Sequence, residues 1–224
     1  MAIFVDSAVL ADVEALRVSY PVTGVTTNPT ILLAAIEQHG QRLDDISVLR
    51  ELLRIVPGPV FMQPSASDAA ALTAQAQRYA ALDRARVVLK LPMTEIGLAA
   101  SNQLQGDGIR YCFTAVYTLA QAYTAAMAGA EWVIPYFGRM LRAGTDAAQR
   151  IHDMAALLAA QDSACRILVA SLKSPEDVAT ALLVGAHDIT APAEVIRSLV
   201  ADPLTTAAVA QFDADWQRAQ DTLR

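Results

Sequence analysis

The sequence predicts an α/β fold, a (β/α)8 TIM barrel with one extra C-terminal helix. Eight short apolar runs alternate with longer amphipathic stretches along the 224 residues, and this alternation is typical of parallel strands joined by helical crossovers. No glycine-rich phosphate loop follows the first run, which favours a closed barrel over an open doubly wound sheet. Because no stretch rich in proline, glycine or serine divides the chain, we expect one barrel domain over residues 1–224.

The predicted strands are short runs rich in aliphatic and aromatic residues, as expected for strands buried on both faces. They are Ala2–Val5, Val22–Val25, Pro59–Met62, Arg86–Leu91, Ile109–Phe113, Glu131–Pro135, Arg166–Ala170 and His187–Thr190. The amphipathic stretches between them predict the helices Leu10–Val18, Ile31–Gln38, Leu49–Ile55, Asp68–Ala81, Glu95–Leu104, Val116–Ala128, Asp146–Ala160 and Pro175–Leu183. The clearest start signal is Ser174 before Pro175, which offers a capping hydroxyl and a proline at the first helical position.

Two further helical segments follow the eighth strand. The first covers Ala193–Val200, and the second runs from about Leu204 to residue 224. Phe212 and Trp216 are four residues apart and share a face of this last helix. That face packs either against the parent barrel or against a neighbouring subunit, and the sequence leaves both alternatives open.

The composition argues against several classes of protein. The formal net charge is −6 and no basic cluster occurs, which argues against nucleic-acid binding. Apolar residues make up 54% of the chain, yet no uncharged run approaches the roughly 20 residues that a membrane-spanning helix needs. The chain begins with a predicted strand and no cationic leader, so we expect a cytoplasmic protein. Cys112 and Cys165 are expected to be buried free thiols, and the scattered histidines predict no metal site and no cofactor.

Lysine is rare in this chain, since Lys90 and Lys173 stand against fifteen arginines. Arginine stays protonated, whereas a desolvated lysine can lose its proton and attack a carbonyl group. Lys90 lies in the apolar run 87–92, where burial favours the uncharged amine. We therefore predict that Lys90 is a Schiff-base residue. The competing interpretation is a structural lysine paired with a carboxylate such as Asp6.

Polar side chains occur at the C-terminal end of almost every predicted strand, where barrel enzymes carry their active sites. They are Asp6, Thr26, Thr27, Asn28, Gln63, Lys90, Thr114, Tyr136, Arg139, Ser171, Lys173 and Thr190. A purely structural barrel would not bury so many polar groups, because each one costs free energy unless it is hydrogen-bonded. We therefore predict an active site at this end of the barrel.

Four of these residues are candidates for proton transfer. Asp6 can hold a proton or orient the amine, and Tyr136 can act as an acid or base. Gln63 and Thr114 can position a water molecule without carrying charge. The alternative for Asp6 is an N-cap role, and the alternative for the uncharged residues, Thr26 included, is hydrogen bonding to buried backbone.

Arg139, Ser171 and Lys173 predict a phosphate site. Two cations, one hydroxyl and the free amide groups of the helix that begins at Pro175 form an anion-binding arrangement. A sugar phosphate is the expected ligand. The alternative is that the two cations form ordinary surface ion pairs.

Ten segments spread over nearly the entire chain carry a further pattern. They are Phe4–Ser7, Gly24–Thr30, Phe61–Gln63, Val88–Pro92, Gly97–Ala100, Thr114–Tyr117, Ala128–Glu131, Pro135–Arg139, Ala170–Lys173 and Phe212–Trp216. In this order they resemble the transaldolase family, and specifically its small, fructose-6-phosphate-aldolase-like members. The second segment, combined with a lysine on a strand, is the most specific part of the resemblance.

The resemblance implies a class I aldol mechanism without a metal. Lys90 would form an imine with the carbonyl group of a ketose, and cleavage of the C3–C4 bond would leave a dihydroxyacetone enamine on the enzyme. The other implied roles are proton transfer by Asp6 and by a water held by Gln63, Thr114 and Tyr136, donor binding by Thr26, Thr27 and Asn28, and phosphate binding by Arg139, Ser171 and Lys173.

Two positions separate activities within the family. Transaldolases tend to carry glutamate in place of Gln63 and phenylalanine in place of Tyr136, whereas the aldolases carry glutamine and tyrosine. The resemblance thus favours an aldolase that cleaves a ketose such as fructose 6-phosphate into dihydroxyacetone and an aldehyde such as glyceraldehyde 3-phosphate. A transaldolase is the alternative, and a non-catalytic sugar-phosphate-binding barrel is the third interpretation. The family's rings of five or ten subunits, with terminal helices crossing between neighbours, imply a homo-oligomer.

Overall fold

Eight parallel strands form a closed barrel in the computed structural model, which describes residues 1–40 and 42–223. The strands are β1 (Ile3–Asp6), β2 (Val22–Thr26), β3 (Val60–Met62), β4 (Val87–Pro92), β5 (Tyr111–Val116), β6 (Trp132–Pro135), β7 (Arg166–Val169) and β8 (Asp188–Ala191). Each strand pairs with the next one along the chain, and β8 pairs with β1 to close the barrel. The predicted fold class and the eight predicted strands are confirmed.

Eleven helices are found in the described residues. They are α1 (Leu10–Ser19), α2 (Pro29–His39), α3 (Asp45–Ile55), α4 (Ala69–Ala80), α5 (Glu95–Gly106), α6 (Leu119–Met127), α7 (Phe137–Arg142), α8 (Ala147–Ala160), α9 (Pro175–Leu183), α10 (Ala193–Ser198) and α11 (Pro203–Thr222). Asn28 caps α2 and Ser174 caps α9, each with a proline directly after it. In the part of the chain that is described, no helix is long and apolar enough to cross a membrane.

Three helices differ from the prediction. Helix α3 begins at Asp45, four residues before the predicted start at Leu49, because Asp44 caps it by accepting from the backbone N–H of Ser47. Helix α6 begins at Leu119 and not at Val116, because Val116 still pairs with β6 and Thr118 forms a capping box with Gln121. Helix α7 was not predicted. Its six residues make fewer than two turns and therefore give no helical periodicity in the sequence.

Large apolar side chains fill the interior of the barrel. This interior cluster comprises Phe4, Phe61, Val88, Cys112, Trp132, Ile134, Tyr136, Leu168 and Ala170. The ring of Phe61 contacts those of Phe4 and Trp132 edge to face, with centroids 5.2 Å apart in each pair. A larger cluster lies on the alternate faces of the strands, where the helices cover the barrel. The interior is therefore a packed core, and the C-terminal ends of the strands, here called the mouth, carry a polar lining.

The last helix, α11, stands apart from both clusters. Every one of its residues is exposed, including Phe212 at 67% and Trp216 at 63%. The predicted aromatic face is therefore uncovered in a single chain.

Candidate active site

Lys90 lies on β4 with its side chain in the mouth of the barrel. The residue is 1% exposed, and its Nζ atom donates a 2.8 Å hydrogen bond to the carbonyl oxygen of Thr27. No ion pair of Lys90 is found in the described part of the chain, so the alternative of a structural pair with Asp6 is not realised. The amine is thus buried with a backbone carbonyl, and no carboxylate, as its hydrogen-bond partner.

Asp6 is the last residue of β1 and lines the same cavity as Lys90. Its Oδ1 atom accepts a 2.6 Å hydrogen bond from the hydroxyl of Thr26, which in turn lies 2.6 Å from the hydroxyl of Thr190. The N-cap residue of α1 is Val9, so Asp6 does not occupy the capping position that was the alternative for it. Its carboxylate belongs instead to a hydrogen-bond network of the mouth.

Thr114 and Tyr136 bring two hydroxyl groups together. Their oxygen atoms are 2.8 Å apart, and the residues are only 1% and 7% exposed. Ala115 directly follows with a φ of 58°, at a shift in the register between β5 and β6. Strained backbone of this kind is common at functional sites. Gln63 follows β3 and lines the cavity beside this hydroxyl pair.

Positive side chains line the part of the mouth formed by α7 and the loop after β7. The guanidinium carbon of Arg139 lies 4.5 Å from the ring centroid of Tyr136. Arg142 and Lys173 line the same cavity. None of these three cations forms an ion pair with another described residue. The alternative of ordinary surface ion pairs is therefore not realised for Arg139 and Lys173.

Close packing holds α7 against the loop after β7. The backbone N–H of Gly138 donates a 3.0 Å hydrogen bond to the carbonyl oxygen of Ser171, and a Cβ atom at position 138 would lie only 2.4 Å from that oxygen. Ser171 itself has a φ of 63°, which is uncommon for a residue other than glycine. Any larger residue at position 138 would separate the two segments that carry Arg139 and Lys173.

One cavity of about 190 Å³ joins the amine, the carboxylate and the cations. Its lining includes Asp6, Asn28, Lys90, Tyr136, Arg139, Ser171 and Lys173. Gln63 and Thr114 line an adjoining cavity that shares Asn28, Tyr136 and Arg139 with the first. A buried amine thus opens onto a small polar space that is rich in positive charge, which suits a carbonyl compound carrying an anionic group.

Thr26 and Thr27 lie behind the cavity wall. Both are 0% exposed; the Thr26 hydroxyl binds Asp6, and the Thr27 hydroxyl donates to the carbonyl oxygen of Phe61 at 2.9 Å. Asn28 does line the cavity, while its Oδ1 atom accepts from the backbone N–H of Ile31 as the cap of α2. The roles of these three residues in donor binding stay predictions.

Arg142 is a cavity residue that the sequence analysis missed. It lies three residues after Arg139 on α7, a spacing that places both side chains on one face of a helix. The spacing is visible in the sequence, but it indicates a shared face only when residues 137–142 are known to form a helix.

The two cysteines are free and buried, as predicted. Burial raises the pKa of the Cys112 thiol far above its ordinary value, and it raises the pKa of Cys165 to about 12. Cys112 lies beside Lys90 in the strand register but is thus not a thiolate nucleophile. Among the described residues, no group of three His, Cys, Asp or Glu side chains is placed to hold a metal ion.

The fold alone has wide structural parallels. A crystal structure of mandelate oxidase with benzoyl-formic acid superposes with a TM-score of 0.63 at 14% sequence identity, covering 89% of this chain and 66% of that one. A second structure, of a mandelate oxidase mutant with the monooxide FMN adduct, gives a TM-score of 0.61 at 15% identity over 90% of this chain and 66% of the other. At such low identity, this likeness shows the barrel and nothing about the chemistry.

Fold and candidate site together describe a (β/α)8 barrel with a buried lysine beside a cationic cavity at its mouth. The chain belongs to the Transaldolase/Fructose-6-phosphate aldolase family, whose model matches residues 3–223. The predicted family is thereby confirmed. The protein is an enzyme of the aldolase class, a carbon–carbon lyase or transferase, and not a non-catalytic barrel.

Its curated relatives are similar over their whole length. A protein named "Probable transaldolase" from Thermus thermophilus is 32% identical over 98% of this chain and 100% of its own. Proteins of the same name from Desulfotalea psychrophila and Lactiplantibacillus plantarum are each 35% identical. Those alignments cover 97% and 99% of this chain, respectively, and 99% of each relative.

Proposed function

We propose that the protein is a class I aldolase that reversibly cleaves a ketose such as fructose 6-phosphate into dihydroxyacetone and an aldehyde such as glyceraldehyde 3-phosphate. The observation that carries this proposal is the amine of Lys90, which is buried, free of ion pairs among the described residues and open to a cationic cavity. A lysine in such a position is suited to covalent catalysis on a carbonyl group.

The first step is condensation. The nitrogen of Lys90 attacks C2 of the ketose and a water molecule leaves, which gives an iminium ion that withdraws electrons from C3. The C3–C4 bond then breaks, and its electron pair becomes the double bond of an enamine. The hydroxyl group on C4 loses its proton to a base and becomes the aldehyde. Protonation of the enamine at C3 and hydrolysis by water return the free amine and release dihydroxyacetone.

The proton transfers are assigned to Asp6 and to the hydroxyl pair. Asp6 lines the cavity with Lys90 and is held by Thr26, so it can accept and return protons near the amine. The 2.8 Å contact between the hydroxyls of Thr114 and Tyr136 supports the second assignment, in which the phenol donates to the enamine directly or through a water held with Gln63.

The phosphate of the substrate is assigned to the cationic part of the mouth. Arg139, Ser171 and Lys173 line the cavity together, and the charges of Arg139 and Lys173 are free to bind an anion because other described side chains do not neutralise them. Arg142 adds a third positive charge at the edge of the same cavity. A dianionic phosphate would gain charge-assisted hydrogen bonds from these groups.

The lyase is preferred to the transferase because of Tyr136. A tyrosine that protonates the enamine lets free dihydroxyacetone leave, whereas a site without this acid holds the enamine until a second aldose arrives. The transferase remains the second candidate, since the curated relatives carry the name transaldolase.

Incubation with fructose 6-phosphate alone separates these two functions. Sustained release of glyceraldehyde 3-phosphate, which does not increase when erythrose 4-phosphate is added, is the expected result. Release that requires erythrose 4-phosphate and yields a seven-carbon ketose phosphate would establish the transferase instead. Lys90→Met protein is the control for background cleavage.

We also propose that residues 1–224 form one barrel domain whose helix α11 docks on a neighbouring copy, giving a homo-oligomer of five or ten subunits. The exposure of Phe212 and Trp216 supports this proposal, because large uncovered aromatic side chains commonly mark an interface. Light scattering should give the mass of a pentamer or decamer for the wild type and a smaller mass for Trp216→Glu. A monomeric wild type would contradict the proposal.

A further inference from the structure

A chain of three side chains crosses the seam at which the barrel closes. Thr190 lies on β8, Asp6 on β1 and Thr26 on β2, and these strands are neighbours because β8 pairs with β1. The hydroxyl oxygens of Thr190 and Thr26 are 2.6 Å apart, and that of Thr26 is 2.6 Å from Asp6 Oδ1. Both threonines are 0% exposed, so no bulk water can take the place of either hydroxyl.

The direction of the chain follows from the number of protons. A threonine hydroxyl carries one proton, and that of Thr26 is donated to the Asp6 carboxylate. Thr26 can therefore only accept from Thr190, which must be the donor of the second bond. The sequence of donation is Thr190 to Thr26 to Asp6, and each bond in such a chain polarises the next.

We propose that Thr190 is a positioning residue for Asp6 and acts through Thr26. It does not line the cavity with the substrate-facing residues, so its effect reaches the reaction only by fixing the Thr26 hydroxyl, which fixes the carboxylate. Without the Thr190 hydroxyl, the Thr26 oxygen loses its donor, and its own O–H becomes a weaker donor that holds the Asp6 carboxylate less firmly. This inference rests on the proposed role of Asp6 in proton transfer.

The test compares three variants that differ in shape and in the hydroxyl group. Thr190→Val keeps the shape and removes the hydroxyl, whereas Thr190→Ser and Thr190→Ala share a smaller side chain and differ by that hydroxyl alone. We expect kcat for ketose cleavage to fall about tenfold in the valine and alanine variants, the size of one lost hydrogen bond. KM should stay within about twofold, and the serine variant should recover most of kcat.

Thr73→Val is the matched control. Thr73 is also buried, at 4% exposure, and its hydroxyl donates to the carbonyl oxygen of Ala69 at 2.8 Å on α4. Its removal should change the melting temperature about as much as Thr190→Val does, with kcat unaltered. If Thr190→Val does not fold, the ratio of kcat between the serine and alanine variants carries the test alone.

Two outcomes would overturn the inference while the proposed function stands. One is a Thr190→Val enzyme with wild-type kcat beside an Asp6→Asn enzyme that is strongly impaired. The other is a serine variant as slow as the alanine variant. Failure of the proposed function has a different signature, namely an Asp6→Asn enzyme with wild-type kcat or a wild-type enzyme that forms no adduct at Lys90 with dihydroxyacetone and borohydride.

Discussion

In the described part of the chain, charged side chains form ion pairs at one end of the barrel and lack them at the other. At the N-terminal ends of the strands, Asp188 is 1% exposed and bonds to two nitrogens of Arg166 and to Trp132 Nε1, while Arg110 pairs with Glu131 at 2.7 Å. At the mouth, Lys90 and the three outer cations have no such partners among the described residues.

This contrast separates the structural charges of the barrel from those that are available to a ligand. Charges that satisfy one another, as the buried Asp188 and the partly exposed Arg166 do, stabilise the structure and leave no charge free to bind a ligand. At the mouth, the side chains of Arg139, Arg142 and Lys173 are exposed and form no ion pair with another described residue, so no described carboxylate competes with an anionic ligand for them. The mouth also contains two residues with a positive φ angle, Ala115 and Ser171, and strained backbone of this kind is common at functional sites.

Replacement of Lys90 should give the largest effect. Lys90→Met removes the amine that we propose forms the imine, and it is expected to lower ketose cleavage at least about a thousandfold. Because the methionine no longer has to bury an unpaired amine, the melting temperature should not fall. Steady-state rates and thermal melting measure both effects, and a variant with appreciable activity would contradict the account.

Asp188→Asn should show the reverse pattern. The substitution leaves Arg166 without its carboxylate, and we expect a loss of about 2–3 kcal/mol of stability, below the range for fully buried pairs because the Arg166 side chain is 39% exposed. The activity of the folded protein should be unchanged. Denaturant unfolding measures the loss, and Glu51→Gln, which breaks an exposed pair with Arg54, is the control with a change of less than about 1 kcal/mol.

Tyr136→Phe tests the hydroxyl pair of the mouth. Loss of the phenol is expected to lower cleavage by about tenfold or more, in line with the loss of a general acid. Tyr79→Phe removes another buried phenol, one that binds Asp45 at 2.5 Å far from the mouth, and should leave kcat unaltered. An equal rate for Tyr136→Phe and the wild type would remove Tyr136 from the mechanism.

Arg142→Ala tests the outermost cation. We expect KM for a phosphorylated substrate to rise several-fold, roughly threefold to tenfold, with a smaller rise at high salt because the charge is exposed. Arg84→Ala removes an exposed arginine that lies before β4, at the other end of the barrel, and should leave KM unchanged. Equal KM values for the two variants would exclude Arg142 from phosphate binding.

His187 should make a small pH-dependent contribution at the N-terminal end. Burial, followed by the charge of Arg166, lowers the pKa of His187 below its ordinary value of 6.5, and its Nδ1 atom accepts from the backbone N–H of Ile167. The unfolded chain therefore binds the proton more readily, so stability falls as the pH drops below about 6.5. His187→Asn should flatten this part of the stability profile measured by urea unfolding; an unchanged slope would contradict the assignment.

Local pattern was sufficient to predict the barrel and most of the mouth. Buried strands appear in the sequence as apolar runs, and the residue after each run must lie at the C-terminal end, so Asp6, Lys90 and Thr114 could be placed without a structure. Helix α7 could not be predicted, because six residues carry no periodicity. Arg142, which lies on this helix, was therefore not predicted as a cavity residue.

Contacts across the barrel were equally invisible in the sequence. The Asp188–Arg166 pair and the Thr190–Thr26–Asp6 chain join residues far apart in the chain, and both depend on the register between strands. The hydrogen bond from Lys90 to the carbonyl oxygen of Thr27 likewise depends on where the end of β2 lies relative to the Lys90 side chain on β4. No local motif in the sequence encodes that position.

Borohydride reduction in the presence of dihydroxyacetone is the direct test of imine formation at Lys90. The chain has only two lysines, so peptide mass mapping can distinguish Lys90 from Lys173 without ambiguity. The account predicts a reduced three-carbon adduct on Lys90 and none on Lys173. An unmodified Lys90 after complete reduction, or an adduct confined to Lys173, would contradict it.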